Sequence, residues 1–175
     1  MNDVRPRWYP WRSAALGWLV AGAFLALGVP LFLRMPLWCD ATLYAVAARE
    51  ISTGGVHYRD VFDTNPPGFV WALAAVRGTL GTSQLAVRAV DLLIVVLVVA
   101  GLLWWARRAG ASGAAVAWCA AACAAFYLFV PEFCHAQRDV WMMLPAGAAI
   151  LLRMRRAQPA TAPALEEPTP PAPPP

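Results

Sequence analysis

The chain has 175 residues, 60% of them hydrophobic, and a mean hydropathy of +0.53. Soluble domains hold roughly 45–50% apolar residues, so the composition excludes an ordinary soluble domain and predicts an all-α integral membrane protein. The 14 basic residues are all arginine, and they stand mostly beside apolar runs. The net charge of +4 therefore indicates membrane topology, and nucleic acid is not expected as a partner.

Four apolar runs predict about four transmembrane helices, at residues 14–33, 85–105, 111–130 and 140–152. The last run rises only about 20 Å, so we expect it to extend into residues 137–139 or to thin the bilayer locally. Arginines before the first run, after the second and after the fourth place both termini in the cytoplasm of a multi-pass inner-membrane protein.

Three regions follow from this topology. Residues 1–13 form a cytoplasmic N-terminus, and residues 14–156 form the membrane domain. The last segment, residues 157–175, holds eight prolines and few apolar side chains. Such a segment cannot bury a core, so we expect a disordered, proline-rich tail.

Residues 36–84 form a large outward loop between the first two spans. Asp40 is predicted to be the N-cap of a helix that continues to Ile51, because Gly54 and Gly55 follow as stop signals. The apolar face of this helix suits a position on the membrane surface. Three residues make up that face, with Val46 nearby: Leu43, Ala47 and Ile51.

A second surface helix is predicted over residues 69–80, which are too few to cross the bilayer and include Arg77. We expect Gly81 to end this helix and Thr82 or Ser83 to cap the second span. The two surface helices are amphipathic, and an irregular link with a Pro-Pro turn joins them.

Ionisable residues gather on the outward side of this topology. Arg88 and Asp91 lie three residues apart near the outer end of the second span, as either a structural pair or part of a site. The outward turn before the fourth span adds four more: Glu132, His135, Arg138 and Asp139. We therefore expect acids and arginines to converge on one outer surface, a pattern typical of a site for an anionic lipid-linked substrate.

The outward loop and the second span resemble a known family. The stretch "CDATLYAVAAREISTGGVHYRDVFDTNPPG", followed by "AVRAVDLLIVVLVVAGLLWWARR", is similar to the N-terminal portion of the polyprenyl-phosphate-dependent membrane glycosyltransferases of the GT-C class. This class includes protein mannosyltransferases and lipopolysaccharide glycosyltransferases. The stretch "AQRDVWMMLP" resembles the family's next outward turn. The resemblance implies transfer of a sugar from a polyprenyl-phosphate donor to an acceptor on the extracytoplasmic face.

The resemblance also implies roles for individual residues. It identifies Asp40 as the catalytic base, which takes a proton from the attacking hydroxyl, or as a carboxylate that orients the acceptor. It also places Asp60 and Asp63 on the acceptor side. Ala41 stands where many members have a second acid. The donor side is implied to hold two arginines for the phosphate and two candidate companions: Arg138, Arg88, His135 and Asp139.

Several alternatives stay open. Members of the family are longer, so the chain is predicted to be a truncated enzyme, with a second chain as a partner that supplies further spans, or else a non-catalytic remnant or partner subunit. Asp40 as a simple helix cap and Asp60 and Asp63 as ordinary loop residues are the plainer interpretations. A divalent metal is a candidate cofactor, although the acids and thiols match no recognised metal-binding spacing.

Two cysteines fall on the outer, oxidising side. Cys39 directly precedes Asp40, and Cys134 directly precedes His135. We hypothesise that these two cysteines form a disulfide that links the two outward segments.

Overall fold

The computed structural model describes residues 10–63 and 65–156, and within them it shows six α-helices and no β-strand. The all-α fold class is therefore confirmed. Residues 1–9 of the predicted cytoplasmic start and the predicted tail, residues 157–175, lie outside the described part. The helices in chain order are α1 (Pro10–Arg34), α2 (Cys39–Ser52), α3 (Gly68–Leu80), α4 (Gln84–Arg108), α5 (Gly113–Phe129) and α6 (Arg138–Arg156).

Two helices, α1 and α4, are long and apolar enough to cross a membrane. Each has 25 residues and rises about 37 Å, which exceeds the roughly 30 Å of a hydrocarbon core. Only 22% of the most apolar window of each helix is buried inside the protein. Most of their apolar surface therefore faces outward.

The predicted spans agree with the helices in position. Residues 14–33 and 85–105 fall within α1 and α4, and residues 111–130 overlap α5, an apolar helix of 17 residues. Residues 140–152 fall within α6, which begins earlier and includes Arg138 and Asp139.

Small residues let α1 and α5 approach closely. A Cβ atom added at Gly17 would lie 2.9 Å from the Cβ of Ala117, and one added at Gly28 would lie 2.7 Å from the Cβ of Leu128. Ala21 is buried at the same interface. Such contacts are typical of packed membrane helices, where small side chains allow the backbones to meet.

The structure corrects the start of α2. Asp40 is not the N-cap, because the amide of Thr42 already donates to the carbonyl of Trp38. Trp38 is therefore the N-cap, two residues earlier than predicted, and Asp40 lies in the first turn. Of the predicted apolar face, Ala47 is buried, whereas Leu43 and the neighbouring Val46 are exposed. The close packing of α2 against α3 instead buries smaller side chains and one tyrosine: Ala41, Tyr44, Ala47 and Ala48.

The second predicted surface segment forms α3. It ends at Gly81, whose φ of +91° favours glycine. Of the two candidate caps of α4, Ser83 takes the role, because its Oγ accepts a hydrogen bond of 3.2 Å from the amide of Ala86. The predictions of this helix, its end and the cap are confirmed.

The end of α1, the start of α4, the end of α5 and the start of α6 meet at one end of the helical bundle, where α2 and α3 also lie. We call this the loop end. It contains the main buried cluster of the described residues, built on α2, α3 and the first turns of α4 and α6. Every acidic or basic residue that the sequence assigns to a site belongs to this end.

Candidate functional site

A buried carboxylate holds the loop end together. Asp91 on α4 is completely buried. Its Oδ2 accepts hydrogen bonds from the hydroxyl of Tyr127 at 2.9 Å and from the amide of Ala136 at 3.0 Å, and its Oδ1 accepts one from Nε1 of Trp141 at 2.8 Å. One side chain therefore joins α4, α5, the turn after α5, and α6.

Arg88, one turn before Asp91, is also completely buried. Its Nε donates to the carbonyl of Met35 at 3.2 Å, and its Nη2 donates to the carbonyl of Pro36. The guanidinium lies 5.0 Å from the centroid of the Phe32 ring. Arg88 therefore satisfies carbonyls that the end of α1 leaves without helical partners, and it has partners other than Asp91.

His135 lies inside the same end rather than on its surface. It is 1% exposed and packs against the rings of Phe32 and Tyr127, at centroid distances of 4.9 and 5.1 Å. Its Nε2 is 2.7 Å from the carbonyl of Tyr127. Because a carbonyl oxygen only accepts hydrogen bonds, Nε2 carries the proton. Burial lowers the pKa of His135, which favours the neutral imidazole. We refer to Arg88, Asp91 and His135 as the buried network.

The charges of four residues act on the hydroxyl of Tyr44. Burial raises the pKa of this tyrosine, and Arg138 opposes the shift. The carboxylates of Asp63, Asp40 and Asp139 raise its pKa further. We call these five residues the surface cluster. Within it, Arg138 contacts Asp139, and Asp40 lies one helical turn before Tyr44 on α2.

The acids of the surface cluster differ in exposure. Asp40 and Asp139 are exposed, whereas Asp63 is only 8% exposed. Asp63 Oδ1 accepts hydrogen bonds from the amide and the Nδ2 of Asn65, at 3.0 and 2.8 Å, and the same Nδ2 lies 3.1 Å from the hydroxyl of Tyr44. Asp63 Oδ2 is buried and has no hydrogen-bond partner among the described residues. A buried oxygen of this kind is available to a donor on a bound molecule.

Arg138, at the start of α6, is the one basic residue of the surface cluster. Its Nε lies 3.2 Å from Oδ1 of Asp139, and its side chain is 36% exposed against 85% for Asp139. Three carboxylates stand against this single guanidinium. The cluster is therefore formally negative.

Three aromatic rings connect the surface cluster to the buried network. Tyr44 packs edge-on against Phe69 with ring centroids 5.0 Å apart, and Phe69 packs in the same way against Trp141 at 5.0 Å. Trp141 in turn donates to Asp91. The position of the Tyr44 hydroxyl therefore depends on α3, α6 and the buried carboxylate together.

Asp60, the other predicted acceptor-side residue, interacts within its own loop. It accepts hydrogen bonds from Nε and Nη2 of Arg59, at 2.9 and 2.7 Å, and from the amide of Val56 at 2.7 Å. The hydrogen bonds from Arg59 lower the pKa of Asp60 to about 2. Asp60 is not among the residues that act on Tyr44.

The structure does not contain the hypothesised disulfide. Cys39 and Cys134 are both free, although their neighbours Trp38 and Phe133 have ring centroids 6.2 Å apart. The Sγ of Cys39 instead points at Oδ1 of Asp40, at 3.7 Å. In the part of the chain that the structure describes, no group of three or more His, Cys, Asp or Glu side chains is arranged to hold a metal ion.

Comparison with known proteins adds no assignment. No protein-family model, curated protein or solved structure matches this chain. The geometry of the loop end therefore carries the functional argument.

Sequence reasoning missed three residues that organise this region. Tyr44 lies one helical turn after Asp40, so it shares a helix face with the predicted base. Asn65, two residues after Asp63, stands in the predicted turn, where such side chains commonly bond to neighbours. Trp141 has no comparable local signal, because its partner Asp91 is 50 residues away.

Proposed function

We propose that this chain is the acceptor-side part of a membrane glycosyltransferase that uses a polyprenyl-phosphate sugar and works on the extracytoplasmic face of the inner membrane. The observation that carries the proposal is the surface cluster. Asn65 joins Asp63 to the hydroxyl of Tyr44, and Asp40 lies one helical turn before Tyr44 on α2. Arg138 contacts Asp139. These residues belong to the stretches that resemble the family.

A membrane location supports the proposal. The apolar windows of α1 and α4 are largely unburied, which is expected of helices solvated by lipid and not of the core helices of a soluble protein. The close contact of α1 with α5 at Gly17 and Gly28 makes α1 part of the fold, as expected of a retained anchor rather than a cleaved signal. With α5 and α6 as further spans, the bundle has four, both ends of the chain are cytoplasmic, and the loop end faces outward.

The chemistry assigned to Asp40 is proton transfer. A hydroxyl oxygen of the acceptor attacks the anomeric carbon of the donor sugar, and a new C–O bond forms as the bond to the phosphate oxygen breaks. The polyprenyl phosphate leaves with the electron pair of that bond, and the hydroxyl proton passes to the Asp40 carboxylate. Asp40 is exposed at the start of α2, so a bound acceptor can reach it.

The three carboxylates of the cluster suit the acceptor, because carboxylate oxygens accept hydrogen bonds from hydroxyl groups. Asp63, with one buried oxygen free of partners, suits this role. The one guanidinium of the cluster is the group that attracts a phosphate. Arg138 is the remaining candidate for the donor phosphate, and the rest of the donor pocket would come from a second chain with the additional spans.

The proposal is tested by sugar transfer in nanodiscs. The full chain, reconstituted with the membrane proteins that copurify with it, is supplied with a radiolabelled polyprenyl-phosphate sugar and a lipid extract of cell envelope as the acceptor. Asp40→Asn keeps the size of the side chain and removes its basicity, so we expect transfer to fall by about 100-fold or more. Glu50→Gln is the matched control, because Glu50 is an exposed acid on the same helix outside the surface cluster, and it should leave transfer unchanged.

Two results would contradict a catalytic role. Transfer that persists in Asp40→Asn would exclude Asp40 as the base and favour the second candidate function, in which the partner carries the catalytic residues. Absence of transfer by the chain together with its copurified partners, with helicity and melting temperature intact, would contradict the transferase.

That second candidate is a non-catalytic partner subunit, and the placement of Arg88 favours it. Arg88 was expected to help hold the donor phosphate, yet its side chain is buried against the carbonyls of Met35 and Pro36. A scaffold that keeps the acceptor side without a donor pocket fits this arrangement. Copurification of a larger membrane protein, with transfer restored by the pair, would identify this role.

A further inference from the structure

A cavity on the outward loop is separate from the surface cluster. Its volume is about 380 Å³, and it lies between the end of α2, the link after it and the start of α3. Aromatic and apolar side chains make up most of the lining, which is typical of small-molecule sites. The residues that matter here are Ile51, Val56, His57, Tyr58, Pro67 and Trp71.

Two features of the lining are unusual for a plain loop. Both ring nitrogens of His57 are buried and have no hydrogen-bond partner in the described part of the chain, although buried polar atoms are normally satisfied. Tyr58 has a φ of +70°, a conformation that bulky residues rarely adopt. Backbone strain of this kind concentrates at ligand sites and persists only where the surroundings enforce it.

Hydrogen bonds enforce this conformation and connect the cavity to the surface cluster. The amide of Tyr58 donates to the carbonyl of Val61 at 2.9 Å, and its hydroxyl donates to the carbonyl of Asn65 at 2.6 Å. Asn65 also contacts Asp63 and the hydroxyl of Tyr44. Tyr58, which lines the cavity, is therefore bonded to the residue that contacts Asp63.

The lining suits a sugar ring better than a lipid surface. Trp71 is 59% exposed and Tyr58 is 48% exposed, so both offer ring surface on which the C–H groups of a pyranose can pack. The ion pair of Arg59 with Asp60 stands on the same loop with 70% and 37% of the two side chains exposed. Charged groups at this position disfavour insertion into hydrocarbon and suit a watery, hydroxyl-rich ligand.

We propose that this cavity binds a pyranose sugar of the acceptor, with the ring stacked on Trp71 and a hydroxyl bonded to His57. Rotation about the broad χ2 torsion of histidine turns a ring nitrogen toward the ligand. A following part of the acceptor then extends along Asn65 to Asp63. This inference deepens the proposed function and rests on it, because it names a glycan as the acceptor class.

The test measures binding without any donor, so it is independent of transfer. The full chain in nanodiscs is titrated with methyl pyranosides of glucose, galactose and mannose, by saturation-transfer NMR. We expect at least one pyranoside to bind. Trp71→Ala should weaken that binding about 10-fold, and Trp71→Phe should weaken it less because an aromatic face remains. His57→Ala should also weaken it, because the imidazole that bonds the sugar hydroxyl is lost.

Trp38→Ala is the control, because Trp38 is an exposed tryptophan of the loop end outside the cavity. It should leave binding unchanged. Binding of no pyranoside would overturn the proposal, as would equal losses in Trp71→Ala and Trp38→Ala. A Trp71→Ala chain that binds sugar normally but inserts less well into vesicles would overturn it in favour of a membrane anchor. Sugar binding without transfer would defeat only the transferase, and transfer without pyranoside binding would defeat only this inference.

Discussion

Arg88 and Arg138 were both expected to hold a donor phosphate, and the structure gives them different surroundings. Arg88 belongs to the buried network, where main-chain carbonyls and an aromatic ring surround its guanidinium. Arg138 belongs to the surface cluster, where its contact is an exposed carboxylate. Asp91 and Asp63 differ less sharply: both are buried, but Asp91 has three donors from other segments, whereas Asp63 keeps one oxygen without a partner.

This difference separates the polar residues that stabilise the fold from those that are available to a ligand. Polar residues whose hydrogen bonds join distant segments stabilise the fold, since removing them leaves buried groups unpaired. Polar residues that converge on a partly open point, with capacity left over, are available to a ligand. The predictions below separate the two groups by their effects on stability and on binding.

The largest expected effect is that of Asp91→Ala. The change leaves the hydroxyl of Tyr127, the amide of Ala136 and the indole N–H of Trp141 without their acceptor, so we expect a loss of about 2–4 kcal/mol in the free energy of unfolding. Denaturant unfolding in detergent, followed by circular dichroism, measures it. Asp139→Ala is the matched control and should cost less than about 0.5 kcal/mol, because its side chain is 85% exposed. Equal losses would remove the distinction between the two regions.

An intermediate effect is expected when each arginine is replaced by methionine. Arg88→Met leaves the carbonyls of Met35 and Pro36 unpaired and should destabilise the protein by about 1–2 kcal/mol. Arg138→Met should change stability by less than about 0.5 kcal/mol, while donor binding or transfer falls. Unfolding and transfer are measured on the same preparations. The comparison fails if Arg138→Met unfolds as easily as Arg88→Met.

The smallest effect concerns Asp60, which belongs to neither group. Hydrogen bonds from Arg59 and the amide of Val56 lower the pKa of Asp60 from 3.8 to about 2. A lowered pKa means that the ionised carboxylate is favoured in the folded loop. The contribution of ionised Asp60 to the stability of the folded state is therefore present above pH 3.8 and is lost as the pH falls through about 2.

Carboxyl NMR of the folded protein tests this directly. We expect Asp60 to titrate near its lowered value in the unaltered chain and nearer 3.8 in Arg59→Gln. If Asp60 titrates at the same pH in both proteins, Arg59 does not lower the pKa of Asp60. Asp40→Asn should leave the titration of Asp60 unchanged.

Local signals in the sequence were enough for the helices of the described chain. Apolar runs that are long enough to cross a membrane predicted α1 and α4. Glycine and serine signals predicted the end of α3 at Gly81 and the cap of α4 at Ser83. These signals work because they act over a few residues. They failed at Asp40, since which residue begins α2 depends on one backbone hydrogen bond, from Thr42 to Trp38.

The site was predictable only as a list of residues. Topology predicted Asp40, Asp63, Arg138 and Asp139 at one end, and the structure shows contact between Arg138 and Asp139. It also shows that Arg88 and His135 are buried. The position of Arg88 within a predicted span, three residues before Asp91, left a structural pair and a site role equally open, because the carbonyls that it binds are more than 50 positions away.

The sequence by itself determined the all-α class, the apolar helices and the end of the bundle at which acids and arginines collect. These properties depend on composition and on neighbours within a few residues. Only the tertiary structure decided which of those charged side chains are buried, since burial is set by contacts such as Trp141 with Asp91 and Arg88 with Met35, each between residues at least 50 positions apart. The same long-range packing brought Asn65, and with it Asp63, to the hydroxyl of Tyr44, which is 21 positions from Asn65.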